Sequence, residues 1–135
     1  MLEYEITATV QQGGQAKATA NRYEVNFDAT SGRDPLLPNP AELLLTSLAA
    51  CMLKNVQRYS EMLNIPYRKA RVTIHGTRSD TPPAMAEISY KLEIDTDANE
   101  RQLANLHKNI LKFGTITNTL SKACKLDGTI SKLAQ

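Results

Sequence analysis

Two cysteines, Cys51 and Cys124, two histidines, His75 and His107, and a carboxylate that heads a long apolar run, Glu42, are the side chains through which this chain could do chemistry. A cysteine reacts as the thiolate. An unperturbed thiol titrates near pH ~8.5, so a reactive one needs a cation, a helix N-terminus or a hydrogen bond beside it. The immediate neighbours of Cys51 are Ala49, Ala50, Met52 and Leu53. Such groups desolvate a charge and disfavour it, so any activating Arg, Lys or His must be delivered by the fold. Free cysteines are also among the most often buried residues, so a small core residue is the competing reading of Cys51 and the favoured one of Cys124. The histidines stand alone, with no metal-ligand spacing to each other, to Cys51 or to a carboxylate. No phosphate loop or dinucleotide glycine pattern occurs, and neither a metal nor a cofactor is expected.

The element that must carry Cys51 is a helix. Asn39 suits the N-cap, Pro40 the first helical position, and Glu42 the third, where it can close a capping box with Asn39. From Leu43 to Leu53 the run is apolar nearly all round, which predicts a central, buried helix. After Lys54, Asn55, Gln57 and Arg58 only a stripe remains (Val56, Met62, Leu63), so the helix emerges toward solvent and stops before Pro66. Nine residues of helix turn about 900° and rise about 13.5 Å, so Glu42 points away from Cys51, and its expected role is at the helix start.

Around this helix the pattern is strand-like. Residues 3–10 and 15–20 flank Gly13-Gly14, a hairpin signal, and 22–28 alternates Tyr23, Val25 and Phe27 against polar residues. Residues 29–39 read as a loop. Residues 71–77 and 87–95 alternate and are joined through Ser79-Asp80-Thr81-Pro82-Pro83. Residues 99–113 carry Leu103, Leu106, Ile110, Leu111 and Phe113 at helical spacing and end at Gly114. A short helix is expected over 116–125 with Cys124 on its inner face, then a turn at Asp127-Gly128 and a last strand over 129–133. The order β-β-β-α-β-β-α-α-β, with strands in hairpins, predicts an α+β fold of antiparallel sheets in a single domain over 1–135. An apolar helix in so small a chain needs cover on every side, which favours an intertwined homodimer.

The composition, 41% hydrophobic and 22% charged, is that of a folded globular chain rather than a disordered one. A formal charge of +2, from 16 basic and 14 acidic residues, is too balanced to steer the chain to nucleic acid. Arg101, Lys108, Lys112, Lys122, Lys125 and Lys132 read as solvated helix faces. No secretory leader is read ahead of the first strand. The longest apolar run is shorter than the ~20 residues that span a bilayer. A cytoplasmic protein with reduced thiols and no membrane contact is expected.

The stretch Asn39-Pro40-Ala41-Glu42-Leu43-Leu44-Leu45-Thr46-Ser47-Leu48-Ala49-Ala50-Cys51 resembles the helix of the OsmC/Ohr family, with its Pro-x-Glu-Leu-Leu, small residues and Ala-x-Cys. Lys112 to Leu120 resembles the family's second signature, Lys-aromatic-Cys-Pro-Val leading into a short helix. The resemblance implies two sheets around central helices, a homodimer, and thiol-dependent reduction of organic hydroperoxides, an oxidative-stress defence. Cys51 takes the place of the attacking cysteine. The resolving cysteine is replaced by Gly114 and the following proline by Thr115, so a one-cysteine enzyme using an external thiol or dithiol is implied. The family's supporting Arg–Glu couple is matched only by Glu42, which lies one residue later than in the peroxide-specific branch. Arg22 and Arg33 are the nearest candidates for the arginine. The alternative is a decayed module that holds an apolar small molecule at the dimer interface.

Overall fold

The computed structural model describes residues 1–134. The chain forms two compact units, one ending at Leu44 and the other beginning at Leu45. The element order is the one expected: β1 (Thr7–Val10), β2 (Gln15–Ala20), β3 (Tyr23–Asp28), α1 (Pro40–Met62), β4 (Lys69–Asp80), β5 (Pro83–Asp95), α2 (Glu100–Lys112), α3 (Thr115–Ser121) and β6 (Lys125–Lys132).

The first unit is an antiparallel meander in the order β1-β2-β3, with Val10 opposite Ala16 and Ala20 opposite Tyr23. Its first turn needs glycine. Gly14 has φ +96°, and a Cβ there would lie 2.6 Å from the Thr30 backbone. Asn21 and Arg22 make the second turn, Asn21 supplying a positive φ of 56°. β1 is shorter than the expected 3–10 and starts only at Thr7.

Helix α1 begins as expected. Glu42 N–H donates to Asn39 Oδ1 at 2.8 Å, and Asn39 N–H donates to Glu42 Oε1 at 3.0 Å, a reciprocal capping box. The helix ends at Met62, and the turn that follows passes through Asn64, whose φ is +54°, ahead of Pro66. The expectation of burial all round is not met in the single chain. Leu48, Met52 and Val56 are fully buried, but Leu43, Leu44, Leu45, Ala49, Cys51 and Leu53 are half-buried and Ala50 is exposed.

In the second unit, β4 and β5 form a hairpin longer than the sequence suggested, paired from Lys69–Asp95 to Asp80–Pro83 with an irregularity at Thr77/Arg78. α2 opens on a second capping box, Asn99 with Gln102. One expectation fails at the C-terminal end. Asp127-Gly128 is not a turn but the middle of β6, and β6 pairs with β5 in parallel, Glu87 opposite Lys125 and Ile94 opposite Lys132. The sheet β4-β5-β6 is therefore mixed. β5 supplies Ile88, Leu92 and Ile94 and α2 supplies Leu106 and Ile110 to the core, each at most 1% exposed. Burial of each such side chain stabilises by about 1.5–3 kcal/mol.

Candidate functional site

Cys51 lies in the second unit, three turns into α1, half-buried and free of any disulfide. Its surroundings along the helix are graded. Met52 is sealed, Ala50 is exposed, and one turn on the buried Asn55 donates from Nδ2 to Ile110 O at 3.5 Å. The thiol is thus at the rim of the buried stripe rather than inside it.

Cys124 departs from its expected setting. α3 ends at Ser121, so Cys124 is in the short connection to β6, half-buried, its Sγ–H directed to Leu120 O at 3.7 Å. Gly114, which the resemblance set at the place of a second cysteine, is the N-cap of α3. A Cβ there would sit 2.7 Å from Thr117 Oγ1 and 3.0 Å from Ile110 O. Thr117 is 5% exposed, and its Oγ1 has no hydrogen-bond partner among the described residues. The adjacent Phe113 stacks on Tyr59 at 5.3 Å between centroids.

In the first unit, Glu42 has a guanidinium partner: Arg33 Nη2 donates to Glu42 Oε1 at 2.6 Å. Arg33 Nη1 also lies 3.8 Å from Asp28 Oδ2. Asp28, 5% exposed, organises the loop before α1. Its Oδ1 accepts from Thr30 Oγ1 at 2.6 Å and Thr30 N–H at 3.0 Å, and its Oδ2 accepts from Asp34 N–H at 2.9 Å. The Thr30 hydroxyl, then the Asp34 and Thr30 amides, hold the Asp28 carboxyl below its ordinary range. The Asn39 amide first, then Arg33, do the same for Glu42. Arg22 is exposed in the β2–β3 turn. The arginine on Glu42 is therefore Arg33, a pairing no local spacing announces. The signal that could have found it is the run Asp28-x-Thr30…Arg33-Asp34, whose short polar side chains turn the chain back on itself.

His75 is exposed on β4 opposite Ser89. His107, on α2, is half-buried, and its Nε2 shares a 2.6 Å hydrogen bond with Tyr90 OH on β5. No group of three or more His, Cys, Asp or Glu among the described residues could hold a metal ion. No helix of the described residues is long and apolar enough to cross a membrane.

An α+β chain with two three-stranded sheets, and a thiol on the long helix between them in sequence, defines a recognisable class. The family model described as OsmC-like protein matches residues 32–128, and the chain belongs to that family. It is 24% identical over 137 residues to a hydroperoxide reductase of Mycoplasma pneumoniae, covering 98% of this chain and 90% of that protein. The crystal structure of an OsmC-like protein from Mycoplasma pneumoniae matches it with a TM-score of 0.89 at 22% identity, over 98% of this chain and 99% of the other. An organic hydroperoxide resistance protein OsmC from Legionella pneumophila matches with a TM-score of 0.77 at 14% identity, over 98% and 100%.

Proposed function

We propose that the chain is a thiol-dependent hydroperoxide reductase in which Cys51 is the attacking group. The observation that carries the proposal is the position of Cys51 within the family-matched span, half-exposed on α1 rather than sealed in the core. The thiolate sulfur attacks the distal oxygen of an organic hydroperoxide. The O–O bond breaks, the departing alkoxide takes a proton and leaves as the alcohol, and Cys51 becomes a sulfenic acid. With Gly114 at the second-cysteine position, an external thiol attacks that sulfur and releases water. A second thiol then frees Cys51 and leaves as a disulfide.

Glu42 is proposed as a supporting carboxylate, with Arg22 or Arg33 as its arginine; the 2.6 Å ion pair favours Arg33. The same reading has both units acting as one domain over 1–135, in a cytoplasmic homodimer with no nucleic acid or membrane partner and no cofactor.

The test is consumption of an alkyl hydroperoxide in the presence of dithiothreitol. The wild type should turn over and Cys51→Ser should fall by at least about a hundredfold, toward the uncatalysed rate. Equal rates for the two would overturn the proposal. A second reading, a decayed module that holds an apolar molecule at a subunit interface, is favoured by Gly114, where no thiol can form. Iodoacetamide separates the two: fast alkylation of Cys51 at pH 6 supports the enzyme, and alkylation only at high pH supports decay.

A further inference from the structure

A groove of about 860 Å³ runs between α2 and β6 in the second unit, and it includes neither cysteine. Its two ends differ. In the parallel register Tyr90 is opposite Gly128 and Ile94 is opposite Lys132, so the groove follows about 13 Å of β6 from Gly128 to Lys132. Leu103, Ala104 and Ile130 line its middle. Toward its Lys132 end the lining also includes Glu100, of opposite charge.

At the other end is His107, half-buried and fixed by Tyr90. Gly128 makes that arrangement possible, because a Cβ there would lie 2.5 Å from the Tyr90 ring. Burial pushes the Tyr90 hydroxyl up to about 12 and holds the imidazole below its ordinary value. At neutral pH the pair is therefore uncharged. The Tyr90 hydrogen bond occupies Nε2, and among the described residues Nδ1 has no partner.

An apolar groove with one fixed, uncharged hydrogen-bonding group at its end is the usual form of a small-molecule site. A charged head group would lose hydration against a neutral imidazole and gain no counter-charge. We propose that this groove binds an uncharged amphiphile, with an aliphatic body about 10 Å long on Leu103, Ala104 and Ile130 and a hydroxyl or carbonyl head on His107. The proposal stands whether or not Cys51 reduces peroxides.

The experiment is a ¹⁵N NMR titration of the full chain with 1-octanol, with octanoate as the charged counterpart. Saturable shifts confined to residues 99–107 and 128–132 are expected, with octanol bound at least about tenfold tighter than octanoate. His107→Leu should weaken octanol about tenfold, the loss of one hydrogen bond, and erase the preference over octanoate. Ile130→Trp, which fills the groove from an edge strand, should abolish the shifts while circular dichroism remains that of the wild type. The proposal is overturned by shifts that do not saturate or that spread over the surface, by tighter binding of octanoate, or by unchanged binding in a folded Ile130→Trp. It is equally overturned if the same resonances move with protein concentration alone, because the groove would then be covered by a second copy of the chain.

Discussion

A carboxylate that accepts from a backbone amide and a guanidinium loses its ion pair and accepts more weakly when it is protonated. Glu42 is in this position, and its folded pKa is lowered from 4.5, first by the Asn39 amide and then by Arg33. The sign of the linkage follows. The stabilisation is present above pH 4.5 and is lost as the pH falls through the lower folded value. Asp28 contributes in the same direction from 3.8. Glu42→Gln should lower the urea midpoint at pH 7 and give a shallower decline between pH 5 and 3 than the wild type, measured by denaturation at each pH. The glutamine keeps one oxygen that can accept from the Asn39 amide, and the site is exposed, so the loss should be modest. The same variant separates two roles. If Glu42 serves only the helix start, peroxide turnover by the folded variant is unchanged; a fall of tenfold or more assigns the carboxylate to the chemistry.

At the scale of elements, legibility followed how local the cause was. The start of α1 could be read from Asn39, Pro40 and Glu42 because a capping box is written within four residues. The Gly13-Gly14 hairpin and the period-two strands were equally plain. β6 was misread because Asp127-Gly128 is a turn signal, yet Gly128 is in the strand for a reason the sequence cannot display: the Tyr90 ring lies over it. Parallel pairing with β5 is likewise set by tertiary context. Which of Arg22 and Arg33 meets Glu42 is not legible for the same reason, because Arg33 reaches it across nine residues of a loop folded by Asp28. The steric reading of Gly128 is checkable. A Cβ would lie 2.3 Å from Tyr90 O, so Gly128→Ala should cost about 1–3 kcal/mol and loosen the Tyr90–His107 hydrogen bond. Equilibrium unfolding measures the first, and the imidazole resonances of His107 report the second.

For the molecule as a whole, the telling quantity is what α1 leaves uncovered. Leu43, Leu44, Leu45 and Leu53 are half-buried, and Val10, Tyr23 and Val25 of the first sheet are exposed at 60%, 65% and 45%. Monomeric proteins rarely show so much apolar surface without using it. The proposed homodimer should appear in light scattering at low micromolar concentration as about twice the 14.9 kDa chain mass. A mass of one chain under those conditions would refute it. The all-round apolarity of 43–53 is legible in the sequence, and part of that run is only half-buried in the single chain.

The close packing at Gly114 also bears on the routes by which this protein can change. A Cβ at 114 would meet Thr117 Oγ1 at 2.7 Å and Ile110 O at 3.0 Å, so placing a thiol there favours two substitutions in a particular order. Gly114→Cys made first meets Thr117 and should destabilise the chain by about 1–3 kcal/mol. Thr117→Ala made first gives up no hydrogen bond among the described residues and removes the tightest of the contacts, that with Oγ1. Denaturation midpoints of the two single variants and the double variant should therefore be non-additive, with the second change rescuing the first. The threonine sets the order of change: while it stands beside the glycine, any side chain added at 114 passes through a less stable protein.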